Sequence, residues 1–121
     1  MRYIFSALAL AATFQSAKLT NPVTADAASI VAGKKLFGAN CVSCHGETGK
    51  GDGRAGKTLN PPPANLVDES AIHGSTDGEI FAVIRDGVKD TGMKGFGSRM
   101  TTHQMWDVVN YLRSIGSNPP R

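Results

Sequence analysis

The stretch that decides the reading is Cys41-Val42-Ser43-Cys44-His45. Two cysteines three positions apart share one face of a helical turn, and a histidine follows the second directly. Thiols spaced in this way reach the two vinyl groups on one edge of a porphyrin, where each adds to a vinyl and forms a thioether. The adjacent histidine is then held beneath the iron as the proximal ligand. Three other chemistries use paired cysteines. A redox dithiol wants a βαβ setting, which the surrounding sequence lacks. A zinc site wants four ligands, yet these are the only two cysteines, and His73 and His103 stand too far off for a compact finger. A plain disulfide of an exported protein is the remaining competitor.

Toward the N-terminus, Asp26–Phe37 reads as a helix with Ile30, Gly33 and Phe37 near one face. Before it lies an export signal. Arg2 supplies the positive start, and Ile4–Phe14 is an apolar run of 11 residues, inside the range of a signal core and short of the roughly 18 residues of a membrane span. Small-residue cleavage patterns occur at Val23-x-Ala25 and Ala25-x-Ala27, and Ala17 offers an earlier site. Residues 1–25 are therefore expected to be a signal peptide and residues 26–121 one domain, a length that hardly allows two. No cysteine stands directly after the apolar run, so a lipid anchor is not expected. The processed protein is expected in the periplasm, with no stable membrane insertion. Export agrees with the haem reading, because c-type haem is attached outside the cytoplasm in bacteria.

Processing also reduces the charge. The chain carries 13 basic and 10 acidic residues, and loss of residues 1–25 removes Arg2 and Lys18 and no acid, leaving +1. With so little net charge and no arginine stripe interleaved with aromatics, nucleic acid is not an expected partner.

Toward the C-terminus, Gly46–Leu66 is so rich in glycine and proline that it reads as one long loop. A compact domain keeps such a loop for a functional reason, and wrapping a cofactor is one. Thr76 and Glu79 form a capping box ahead of Ile80, Phe81, Val83 and Ile84, and Gly87 is placed to end that helix. Thr101 and Gln104 form a second box, followed at helical spacing by Met105, Val108, Val109, Leu112 and Ile115, with Gly116 and Pro119-Pro120 as the stop. No stretch alternates with period two. The fold class expected is all-α: a single small domain whose helices pack around a covalent haem with long Gly/Pro-rich loops.

The iron's sixth ligand is sought among Met93, Met100, Met105, His73 and His103. Met93 lies in Thr91-Gly92-Met93-Lys94-Gly95-Phe96-Gly97, where glycines let the backbone approach a flat cofactor closely. Met100 and Met105 occupy the N′ and N4 positions of a hydrophobic staple, a role that needs no iron. His73 and His103 read as surface or capping histidines. Met93 is the ligand expected opposite His45.

Taken in order, these motifs resemble a class I c-type cytochrome of the small bacterial periplasmic mono-haem kind. The resemblance rests on Cys41-x-x-Cys44-His45-Gly46, Gly49-Lys50-Gly51-Asp52-Gly53 and Pro62-Pro63-Ala64-Asn65-Leu66. It continues through Asp77-Gly78-Glu79-Ile80-Phe81, Ile84-Arg85-Asp86-Gly87, Met93-x-x-Phe96 and Trp106-Asp107-Val108-Val109-x-Tyr111-Leu112-Arg113. One departure is Lys94, where the family usually has a proline after the methionine. It puts a positive charge near the haem crevice.

The resemblance implies one covalent haem c on Cys41 and Cys44, with His45 and Met93 as axial iron ligands. It implies a crossing of the terminal helices that sets Gly33 and Phe37 against Val108 and Tyr111. It also implies that a proline carbonyl, Pro62 or Pro63, accepts the His45 Nδ1–H. The function implied is one-electron transfer between redox partner proteins, without enzymatic activity. Two alternatives stand beside it: the electron-accepting subunit of an oxidoreductase complex, and a haem enzyme or gas sensor with a labile sixth ligand.

Covalent attachment gives the first test. Denatured, acid-acetone-extracted protein should keep the mass of one haem, because thioethers resist extraction, and Cys41→Ala or Cys44→Ala should weaken or abolish that retention. A wild-type chain with no mass gain would end the haem reading.

Overall fold

The computed structural model describes residues 19–68 and 75–116. The chain enters the first helix through Asp26, whose carboxylate accepts a bond from the Ser29 N–H at 2.9 Å. This cap supplies a partner for one of the free donors at the helix start. Helix α1 then runs Ala27–Asn40, three residues beyond the Phe37 expected. Gly38-Ala39-Asn40 contains no proline to stop it, and the Asn40 amide donates to the Leu36 carbonyl at 2.8 Å.

Helix α2, Val42–His45, follows at once with Cys41 as the joint. The Cys41 N–H donates to Phe37 O at 2.8 Å, and the His45 N–H donates to Cys41 O at 2.9 Å. The cysteine motif is thus carried on a short helical extension of α1. The loop expected over Gly46–Leu66 is interrupted by a 3-10 helix, Arg54–Thr58. These five residues hold no proline, and their one glycine, Gly56, lets the turn sit against Cys44 O and the Pro63 ring.

Helices α3, Asp77–Asp86, and α4, Thr102–Ile115, both begin with the capping boxes read from the sequence. The Glu79 N–H donates to Thr76 Oγ1 at 3.1 Å and the Thr76 N–H to Glu79 Oε1 at 3.2 Å. At α4 the reciprocal bonds of Thr101 and Gln104 are 3.1 and 2.9 Å. Helix α3 ends at Gly87, which takes φ 74°. Between α3 and α4 the chain is irregular apart from one antiparallel bridge, Gly87 with Lys94. Among the described residues there is no named strand, so the fold is all-α. No helix among them is long and apolar enough to cross a membrane. His73, Pro119, Pro120 and most of the expected signal lie outside the described residues.

Helix α4 is the centre of the packing, with Met105 through Arg113 all buried. Helix α1 crosses it at Gly33, where a Cβ would clash with the Asp107 carbonyl and stand 2.8 Å from Tyr111 Cβ. One turn on, Phe37 meets Tyr111 with ring centroids 5.3 Å apart. The crossing therefore falls where the resemblance implied, with the Asp107 backbone as its tightest point. Helix α3 joins the other side through Phe81 stacked on Trp106 at 4.1 Å. The buried Arg113 Nε–Asp77 Oδ1 pair, at 2.8 Å, ties the same two helices.

The domain also holds residues ahead of α1. Leu19 and Val23 pack against the core, and the Asn21 amide donates to Asn110 Oδ1 at 2.7 Å.

Gly33→Ala should destabilise the protein by about 3 kcal/mol, at the upper end for overpacking, because the obstacle is backbone that no rotamer relieves. A guanidinium unfolding curve shifted by less than a third of that would mean that the helices separate easily at this point.

Candidate functional site

Cys41 and Cys44 are free, half-buried thiols at the two ends of one helical turn. Burial pushes the Cys41 thiol up to about 11, and the neighbouring Cys44 adds in the same direction. Reactive dithiols depend on a lowered thiol pKa, so this environment opposes the redox-dithiol reading. Among the described residues no three of His, Cys, Asp and Glu gather as a metal site.

His45 Nδ1 lies 3.0 Å from the Ala64 carbonyl. A carbonyl only accepts, so Nδ1 carries the proton and Nε2 keeps its lone pair for a metal. This corrects the expectation of Pro62 or Pro63 as acceptor: the acceptor lies one residue past Pro63. The register is set from both sides. The Pro63 ring packs on Gly56, and a Cβ on Gly51 would stand 2.7 Å from the Pro63 carbonyl. The carbonyls of Pro63 and Ala64 both lie close to Gly51, and it is the Ala64 carbonyl that meets the imidazole. The Leu66 N–H donating to Gly49 O at 2.6 Å closes the far end of the segment.

Gly51 joins the two halves of this arrangement. Its N–H donates to the His45 carbonyl at 2.7 Å, and its φ of 84° is one that residues with side chains rarely adopt. The Gly53 N–H donates to Cys44 O at 3.0 Å. The glycine run after the motif therefore folds back on the motif's own carbonyls.

Met93 is half-buried and packs against the core, as Cys41, Val42 and Leu66 also do. Its N–H donates to Thr91 Oγ1 at 3.1 Å, and its carbonyl accepts from the Val88 N–H at 3.0 Å. Its neighbour Gly92 abuts Leu59: a Cβ there would stand 2.8 Å from Leu59 Cδ1. Leu59 directly follows the 3-10 helix that touches Cys44 O, so the methionine segment and the histidine-side loop meet through this leucine. The bond across the Gly87–Lys94 bridge uses the Val88 N–H and not that of Lys94. Lys94 is exposed.

The other ligand candidates fall elsewhere. Met100 and Met105 are core residues, 7% and 3% exposed. His103 sits on the surface of α4 with Nε2 3.5 Å from Asp107 Oδ1. An open surface groove of about 790 Å³ runs past Val42, Ser43, Glu47, Asp52 and Arg54, but none of Cys41, Cys44, His45 and Met93 lines it. Sequence reasoning missed Ala64 and Leu59. Only Ala64 had a signal, its place in the Pro62–Leu66 motif.

The residues fit a covalently held haem: two thiols on one helical turn, an imidazole with Nδ1 engaged and Nε2 free, and a half-buried thioether, Met93, on the loop between α3 and α4. The cytochrome c family profile matches residues 30–116. The chain belongs to the cytochrome c family. As a cytochrome c it is a haem c protein of the electron-transfer kind, and its single cysteine pair allows one such covalent haem in these residues.

This cytochrome is 34% identical over 98 residues to the CcoP subunit of the cbb3-type cytochrome c oxidase of Rhodobacter capsulatus, an overlap covering 76% of this chain and 31% of that subunit. It is 28% identical to the FixP subunit of the cbb3-type oxidase of Azorhizobium caulinodans, over 81% of this chain and 31% of the subunit. The chain thus spans about a third of the length of these curated relatives. A solved chain of the reducing HAO-like protein complex of Kuenenia stuttgartiensis superposes with TM-score 0.71 at 22% identity, over 79% of this chain and 47% of that one. Cytochrome cL of Methylophaga aminisulfidivorans gives TM-score 0.61 at 23% identity, over 77% and 57% of the two chains. Both carry the same fold.

Gly51→Ala tests the histidine's setting. The added methyl displaces the Pro63–Ala64 carbonyls, weakens the bond that makes His45 a more basic ligand, and so should raise the midpoint potential. A potentiometric titration that gives the wild-type value would uncouple Gly51 from the imidazole.

Proposed function

We propose that this cytochrome c is a periplasmic one-electron carrier whose haem is ligated by His45 and Met93, with residues 1–25 containing the export signal. The observation that carries the reading is the paired placement of the ligands. Ala64 holds the His45 ring with Nε2 free, and Met93 lies half-buried on a segment that reaches the same loop through Gly92 and Leu59. Bound haem supplies the ferrous–ferric couple. The chain tunes it: a thioether sulfur favours the softer ferrous ion, so His/Met ligation raises the potential. With both axial positions filled by side chains, no site is left for a substrate.

Carriers of this kind meet donors and acceptors through small, weak interfaces. Lys94 beside Met93, and Lys50 and Lys57 on the histidine-side loop, are all exposed and available to such partners. A second reading, the electron-accepting subunit of an oxidoreductase complex, is favoured by the oxidase subunits among the relatives. Native mass spectrometry of protein from its source separates the two by whether the cytochrome travels alone.

Met93→Ala should abolish the sulfur-to-iron charge-transfer band of the ferric protein, lower the midpoint potential and admit cyanide or carbon monoxide to the iron. Met100→Ala should keep the band and cost about 2–5 kcal/mol of stability, the usual range for truncating a buried methionine. The opposite pattern would move the ligand to Met100, and a wild type without the band would favour an open site and a sensor or enzyme.

A further inference from the structure

Residues 19–25 are built into the domain rather than leading up to it. Leu19 and Val23 pack on the core. The Asn21 amide donates to Asn110 Oδ1 at 2.7 Å, while Asn21 Oδ1 accepts from the Val23 N–H at 2.8 Å. Asn110, in the middle of α4 and 3% exposed, donates in turn to Val23 O at 3.2 Å and to Ser29 Oγ at 2.9 Å. Ser29 Oγ passes the chain on to Asp107 Oδ1 at 2.6 Å. The Asp26 N–H donates to Thr24 O at 2.9 Å and the Asp26 carboxylate caps α1.

The three candidate cuts near the export signal, at Val23-x-Ala25, at Ala25-x-Ala27 and after the single alanine Ala17, differ sharply in what they would do to this network. A cut after Ala25 removes Asn21, the donor to Asn110 Oδ1, and leaves a buried acceptor without its partner, which is costly. It also places a new ammonium at the positive pole of α1, where a cation is unfavourable. A cut after Ala27 further removes the Asp26 cap. A cut after Ala17 keeps every one of these bonds and follows the apolar run Ile4–Phe14 by only Gln15-Ser16-Ala17.

We propose that the export peptidase hydrolyses the Ala17–Lys18 bond and that Leu19–Ala25 stays in the mature cytochrome as an N-terminal strap seated on α4. Water adds across the peptide bond, its hydroxyl going to the Ala17 carbonyl carbon and its proton to the Lys18 nitrogen. The strap's task is to complete the hydrogen bonding of Asn110 and so to seal the crossing of α1 and α4 from solvent. This inference rests on the export reading given above.

The test is an intact mass of the haem-loaded protein, expressed from the full-length gene in a bacterium with haem c maturation and purified from its periplasm. The expected mass is that of residues 18–121 plus one haem. A chain starting at Asp26 or Ala28 overturns the strap and leaves export standing. Protein that stays in the membrane or cytoplasmic fraction with residues 1–17 retained overturns both. Asn21→Ala in the same full-length gene should leave the cut in place and lower the thermal midpoint by roughly 5 °C, whereas an unchanged midpoint would deny the strap its structural role.

Discussion

The approach of α1 to α4 at Gly33 is the constraint on which the rest of the molecule depends. Without a side chain at residue 33, the backbone of one helix rests on the Asp107 carbonyl of the other. Everything downstream on α1 is placed by that contact. Phe37 reaches Tyr111 one turn later, and one turn beyond stands Cys41, where the haem-binding turn begins. Helix α3 is then added to the far side of α4 by Phe81–Trp106 and by Arg113–Asp77. Arg113 also donates from Nη2 to Ser75 O at 2.7 Å, while its Nη1 finds no partner among the described residues. A buried ion pair of this kind contributes little net stability, so the aromatic stack carries the contact.

The site itself is made of loops hung between these helices. Irregular backbone is tolerated there because its polar groups find partners in the motif: Gly51 and Gly53 donate to the carbonyls of His45 and Cys44. The loop thereby acts as the motif's outer shell, aligning the imidazole through Ala64 while leaving the metal-facing nitrogen free. Much of the chain's glycine and proline content serves this one purpose. Such residues supply the tight turns and close approaches that side chains would block.

How much of this was legible from sequence follows from the range of each interaction. The two capping boxes, at Thr76 and Thr101, were readable because all their atoms lie within four residues. The cysteine motif was readable for the same reason. Pro62 or Pro63 in place of Ala64 was an error of one residue, since the loop's register depends on the Pro63 ring meeting Gly56 and on Gly51 meeting the Pro63 carbonyl, contacts that sequence spacing does not encode. The 3-10 helix was hidden by the composition around it. Asn110 and Ser29 gave no signal at all. A polar residue on the buried side of a helix breaks the apolar pattern, and only the partners 81 and 89 residues away explain it.

The lacing of the Met93 segment has a dynamic consequence. Three backbone bonds hold it to the end of α3: Val88 N–H to Met93 O at 3.0 Å, Phe96 N–H to Ile84 O at 2.8 Å, and Gly97 N–H to Arg85 O at 3.0 Å. Two of these acceptors lie in the last turn of the helix, so fraying of that turn and release of the loop are one event. Proteins open in such cooperative units, each with its own free energy. The Val88 amide proton is therefore a reporter of this segment: its exchange with solvent counts the openings in which Met93 leaves its place, and, were Met93 to hold the iron as proposed, a change of oxidation state that tightens or loosens the sulfur would be read at a backbone nitrogen five residues away.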